Sequence, residues 1–265
     1  MFENLFGNHE ESESVSSNSS YSSSSNSYSS SSYGDIFVVS IGGSVLLGEG
    51  VSSEKVSAIA DSISRLHSEG YKFALVVGGG AICRDYLTAA KELGTNNFFM
   101  DELAIKITRV NATLLIAGLE KAYPEVLTHI GSAKELIDAG QIPVYGGLLP
   151  GATTDFVAAL LAESLNGKFI NLSNVDGIYS SDPSKNKRAK MYSELGYDQL
   201  MKLVASAESK PGQNLVIDLP ACNILRRSSI KALFLNGNNL DNFENSVRGN
   251  SFIGTVVSSE SNDYE

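Results

Sequence analysis

An α/β fold, with a mostly parallel sheet covered by helices on both faces, is predicted by two observations. Short apolar runs rich in β-branched residues alternate with longer helical patterns from about residue 35 to the end of the chain. Three of those runs end in glycine-rich turns that lead into helices: Gly42-Gly43-Ser44, Gly78-Gly79-Gly80, and the stretch Gly146-Gly147-Leu148-Leu149-Pro150-Gly151-Ala152-Thr153-Thr154-Asp155. On parallel α/β sheets ligands bind at the carboxyl ends of the strands, which is where all three turns fall.

Each element follows from its local pattern. Ile36 to Ile41 reads as a fully buried strand and Ser53 to His67 as an amphipathic helix. Phe73 to Val77 is a second buried strand, followed by a helix from Ala81 to Leu93. Asp101 to Ala122 reads as a long helix opened by Asp101, with Leu103, Ile107, Val110, Leu114 and Ala117 on one stripe. Ser132 to Ala139 is a short helix, Ile142 to Tyr145 a strand, and Phe156 to Leu165 an apolar helix. Lys168 to Leu172 is a strand leading into Ser173-Asn174-Val175-Asp176-Gly177-Ile178-Tyr179. Leu215 to Arg227 reads as a helix, and Lys231 to Leu235 and Phe252 to Val257 as the last strands.

Residues 1–33 stand apart. From Ser14 to Ser32 the sequence is almost entirely Ser, Asn and Tyr, too polar to offset the entropy of ordering, so it is read as a disordered tail. The first residues lack a basic stretch followed by an apolar one, which argues against a secretory signal. No apolar run approaches the roughly 20 residues that span a bilayer. Residues 34–265 are expected to form one large domain of two lobes, 34–165 and 166–265.

A net charge of −10 disfavours nonspecific nucleic-acid binding, yet a pocket in an acidic protein can be locally positive. Cys83 and Cys222 have neither metal-ligand nor paired redox spacing and are expected to be free thiols of a cytoplasmic protein. There is no G-x-x-x-x-G-K-[ST] run and no convincing dinucleotide fingerprint. His9, His67 and His129 are isolated, so a catalytic histidine is not expected. Helix starts on glycine and threonine turns instead offer unpaired N–H groups, partial positive charge and close backbone approach, the toolkit for holding phosphates. Arg84, one turn into the helix that follows Gly80, can swing back toward them. Asp101 suits either a helix N-terminal charge or an acceptor for sugar hydroxyls, and Asn174, Tyr179 and Asp182 line a loop that alone would be a plain turn.

Six segments together carry a family. V-x-S-I-G-G-S, V-V-G-G-G-A-x-x-R, I-T-R-V-N-A, P-G-A-T-T-D-x-V-A-A-L-L-A-E, S-N-V-D-G-I-Y-S-x-D-P and V-I-D before an apolar helix resemble the amino acid kinase superfamily, and within it the archaeal-type uridylate (UMP) kinases. The resemblance spans about Asp35 to Val257. It implies a three-layer α/β/α sandwich that transfers phosphate from ATP to UMP with magnesium carried by ATP, as a homohexamer, with no protein metal ligand assigned. It places Gly42, Gly43 and Ser44 at the transferring phosphates, with Gly43, Ser44 and Arg84 as the catalytic group. Gly79, Asp101 and Leu148, Leu149, Pro150, Gly151, Ala152, Thr153 and Thr154 would hold UMP, giving residues 34–165 the acceptor role. Gly42, Gly43, Gly80, Arg84, Ser173, Asn174, Tyr179 and Asp182 would hold ATP, largely on residues 166–265, with Tyr179 as the stacking surface.

Two departures from the pattern stand out. Many superfamily members carry a lysine two residues before the first glycine pair, where this chain has Ser40; Lys185, Lys187 and Lys210 are candidate replacements, and Asp218 a residue to orient one of them. Leu219-Pro220 reverses the usual order, which would shift that helix start slightly. The competing expectations are a kinase of another small phosphate, carbamate or carboxylate acceptor, and a noncatalytic nucleotide-binding or storage protein on the same fold.

Overall fold

The computed structural model describes residues 35–208 and 216–259, which belong to one compact unit. The serine-rich stretch 1–33, His9, Lys210 and Leu215 lie outside the described residues.

Seven strands form a single sheet: β1 (Ile36–Ile41), β2 (Lys72–Val77), β3 (Val144–Tyr145), β4 (Lys168–Ser173), β5 (Glu194–Leu195), β6 (Ala232–Asn236) and β7 (Thr255–Val257). Their spatial order is β3-β2-β1-β4-β6-β7-β5, and only β6 with β7 runs antiparallel. The central strands are buried along their whole length, Ile36 to Ile41 without exception, as expected of strands covered on both faces. The helices are α1 (Gly43–Leu47), α2 (Ser53–Ser68), α3 (Gly80–Glu92), α4 (Asn97–Gly118), α5 (Ala133–Asp138), α6 (Thr154–Leu165), α7 (Tyr197–Glu208), α8 (Leu219–Arg227) and α9 (Leu240–Arg248). One apolar core joins Val38, Val76 and Phe169 to α6, α7 and α8; the other joins Val39, Leu75 and Ile170 to α2, α4 and α9. Helices therefore cover both faces, and the sandwich has the predicted three layers.

The register lines up the strand ends. Ile41 lies beside both Val77 and Leu172, and Ser173 lies beside Asn236. The segments that leave β1, β2, β4 and β6 thus emerge side by side along one edge. The chain reverses its order around β1, with β2 on one side and β4 on the other, which opens a crevice at that edge.

Several boundaries differ from expectation. The long helix begins at Asn97, capped by the Asn96 side chain on Phe99 N, so Asp101 lies in its second turn rather than opening it. The short helix α1, the helices α7 and α9 and the strand β5 were not expected from the sequence. Pro220 is accommodated in the first turn of α8, where a missing N–H costs no hydrogen bond, and Asp218 caps that helix through Ala221 N. Among the described residues no helix is long and apolar enough to cross a membrane.

Candidate active site

The first two glycine turns are pressed together backbone to backbone. A Cβ on Gly43 would lie 2.2 Å from Gly80 N and 2.6 Å from Gly78 O, so no side chain fits between them. Gly80 also has φ +70°, which an L-residue rarely adopts. Behind them Asn111 donates to Gly78 O at 2.9 Å and to Gly79 O at 3.2 Å, which leaves the outward N–H groups of the turns available. Arg84 in α3 swings back as expected, with Nη2 3.5 Å from Ser44 Oγ.

The third loop is tied down at several points. Thr108 Oγ1 accepts from Gly147 N at 2.7 Å, and Arg109 donates to Gly147 O at 3.2 Å. Asp101 accepts from Gly151 N at 2.8 Å, so the helix α4 fixes the curve of Leu148 to Thr154. Thr153 caps α6 through Phe156 N and donates its hydroxyl to Asp218. Asp101 and this loop are therefore brought together, as the sequence suggested.

Two cavities flank Gly42 to Ser44. One, of about 490 Å³, runs from Ser40, Gly42, Asp155 and Asn171 to Tyr179 and Asp182, walled by Leu200, Leu203 and Val204 of α7. The other, of about 650 Å³, holds Ser44, Lys55 and Arg84, and Asn174 lines both. Tyr179 is half-buried and its hydroxyl lies 3.5 Å from Asp176; burial is the main cause of its raised pKa. Asp182 accepts from Ser184 and pairs with Lys185 at 3.7 Å; those bonds hold its pKa below the ordinary carboxylate value.

Ser40 now has an account. Its hydroxyl donates to Asp155 Oδ1 at 2.7 Å, and Asn171 donates to the same oxygen at 2.9 Å. Desolvation pushes the Asp155 carboxyl up to about 6, opposed by the Ser40 bond and reinforced by Asp218 nearby. Asn171 Oδ1, buried beside it, has no hydrogen-bond partner. Neither Lys185 nor Lys187 lines these cavities; among the described residues, the cations that do are Arg84 and Lys55.

Reading the sequence missed Asp155, Asn171, Lys55 and Asn238. Asp155 stood in a quoted motif without a role, and no local signal marks the other three. His67 bridges Tyr71 O and Gly140 O and so braces loops rather than facing the cavities. Cys83 and Cys222 are buried free thiols.

The amino acid kinase family matches residues 35–236, the stretch that carries every turn described above. The chain belongs to the amino acid kinase family. It is 43% identical over 222 residues to the uridylate kinase of Thermococcus kodakarensis, covering 83% of this chain and 98% of that one. The crystal structure of uridylate kinase from Archaeoglobus fulgidus superposes with a TM-score of 0.74 at 39% identity, covering 84% of this chain and all of that one. The crystal structure of UMP kinase from Bacillus anthracis, at 24% identity and TM-score 0.72, shows the same fold across 86% of this chain and 97% of its own. The three-layer sheet and its glycine-lined edge are thus a family architecture.

Proposed function

We propose that this protein is a nucleoside monophosphate kinase that transfers the γ-phosphate of ATP to UMP, giving ADP and UDP. The observation that carries the substrate assignment is the 43% identity to a uridylate kinase over nearly that protein's whole length. The geometry supports the reaction class. Two cavities meet at glycine turns and share Asn174, as a donor and an acceptor phosphate require.

Attack by a UMP phosphate oxygen forms the new P–O bond while the bond to the bridging oxygen of ATP breaks, its electron pair passing to ADP. The attacking oxygen is largely ionised at neutral pH, since its second pKa is roughly 6, so no general base is needed. The protein's tasks are to bring two polyanions together and to neutralise charge. In this reading Gly42, Gly43, Ser44 and Gly80 face the phosphates, Gly79, Asp101 and Leu148 to Thr154 hold UMP, and Ser173, Asn174, Tyr179 and Asp182 hold ATP. Residues 34–165 then serve mainly the acceptor and 166–265 the adenosine of the donor.

Magnesium arriving with ATP supplies neutralisation of the donor phosphates when bound; the carboxylate of Asp155 and the unpaired Oδ1 of Asn171 are the oxygen donors in the cavity suited to it. The reading includes a homohexamer, for which exposed Tyr86, Phe98, Phe99 and Val110 on α3 and α4 offer apolar surface to a second subunit. A cytoplasmic location accords with two unpaired cysteines.

Arg84→Ala tests the phosphate role. The substitution is expected to lower turnover with ATP and UMP at least roughly tenfold through lost charge stabilisation in the transition state. Unchanged steady-state kinetics would remove Arg84 from the site.

A further inference from the structure

We propose that Lys55 is a second cation for the donor nucleotide's diphosphate, supplying positive charge that the chain lacks at Ser40. The inference rests on the phosphotransfer reading above, and four observations carry it.

Lys55 lines the same cavity as Ser44, Arg84 and Asn174, whereas Lys185 and Lys187 do not. Its stem runs across Gly48, where a Cβ would sit 3.3 Å from Lys55 Cδ; the left-handed Gly48, at φ +77°, leaves the space that the stem occupies. Its ammonium donates to Asn238 Oδ1 at 3.2 Å, on the segment that follows β6. Asn238 donates in turn to Asn236 Oδ1 at 3.1 Å, and Asn236 to Asp176 Oδ1 at 2.9 Å, beside the Tyr179 hydroxyl. The lysine is thereby connected by hydrogen bonds to the wall of the neighbouring cavity.

The position is electrostatically unusual. Lys55 is the third residue of α2, where the helix end is itself partly positive and a cation is disfavoured. Glu49 in the same cavity balances one charge. Lys55, Arg84 and the positive end of α2 still leave a net excess that an anion of two or more charges would satisfy. As the bond to the γ-phosphorus breaks, its electrons collect on the β-phosphate of the leaving ADP, and a cation on the donor side stabilises that charge.

Calorimetric titration of the full chain with magnesium-ADP and with adenosine separates this role from a solvated surface lysine. Lys55→Ala is expected to weaken ADP at least about tenfold, the loss of one charge-assisted hydrogen bond, and to leave adenosine unchanged. Lys55→Arg is expected to stay within about threefold of the wild type for both ligands, because the charge is kept. ADP binding unchanged in Lys55→Ala would overturn the proposal. Equal losses for ADP and adenosine would overturn it too, since Lys55 would then act through Asn238 on the adenosine pocket. A wild type that binds ADP without phosphorylating UMP would remove the reading of function but leave this comparison decisive.

Discussion

Asp155 shows how a single position is set by chain segments far from it. Its oxygen takes one hydrogen bond from Ser40, 115 residues upstream, and another from Asn171, while Asp218 adds a second carboxylate nearby. Burial dominates and pushes its pKa up from 3.8 to about 6. A carboxyl whose pKa rises on folding holds its proton more tightly in the native state. The stability this gives is complete below the unfolded value near 3.8 and is lost as pH climbs through about 6. Asp155→Asn keeps an oxygen for Ser40 and carries no charge. It is expected to match the wild type at pH 4 and to exceed it at pH 8 by about 1–3 kcal/mol in urea unfolding. A variant less stable than the wild type at pH 8 would show that the ionised carboxylate is well solvated. The sequence displayed Asp155 plainly but could not assign it, because its partners meet only once β1 and β4 pair.

At the scale of elements, α2 and α9 are pinned to each other by Glu244. Its carboxylate accepts from Ser62 at 2.9 Å and from Arg65 at 2.6 Å, and Arg248 pairs with it at 2.9 Å. Burial alone would raise its pKa, but the bonds from Arg65, Ser62 and Arg248 together outweigh it and hold the carboxyl below its ordinary value. Its contribution is therefore present above the unfolded value of 4.5 and lost as pH falls below it. Glu244→Ala is expected to cost about 2–3 kcal/mol at pH 7 and much less at pH 3, read by denaturant midpoints at both values. Equal losses at both pH values would mean that packing rather than charge carries the contact. The helix α9 was legible in principle: Leu240, Phe243 and Val247 keep helical spacing between the Asn239 cap and Gly249. Its remaining residues are polar, so the pattern drew little notice. In α4 the cap at Asn96 and the exposed Phe98 and Phe99 hid the first turn, because apolar residues that face outward break the expected stripe.

Over the whole molecule, the glycine turns were readable because each directly follows an apolar run, and parallel strands bring such ends to one edge. The order β3-β2-β1-β4-β6-β7-β5 was not readable, nor was the antiparallel β7, since strand neighbours depend on packing far along the chain. That order opens the crevice between β2 and β4 and sets the two cavities on either side of Gly42 to Ser44. It also brings Lys55 and Asn238, 183 residues apart, into one hydrogen bond. A site assembled this way has positioning and charge neutralisation as its means of catalysis, with no histidine near the cavities to act as a base. The most direct measurement is ADP release from magnesium-ATP by the purified protein with UMP, beside CMP, dUMP, carbamate and acetylglutamate. Turnover with UMP and not with the others is the predicted result; tight nucleotide binding with no turnover on any acceptor would contradict the account.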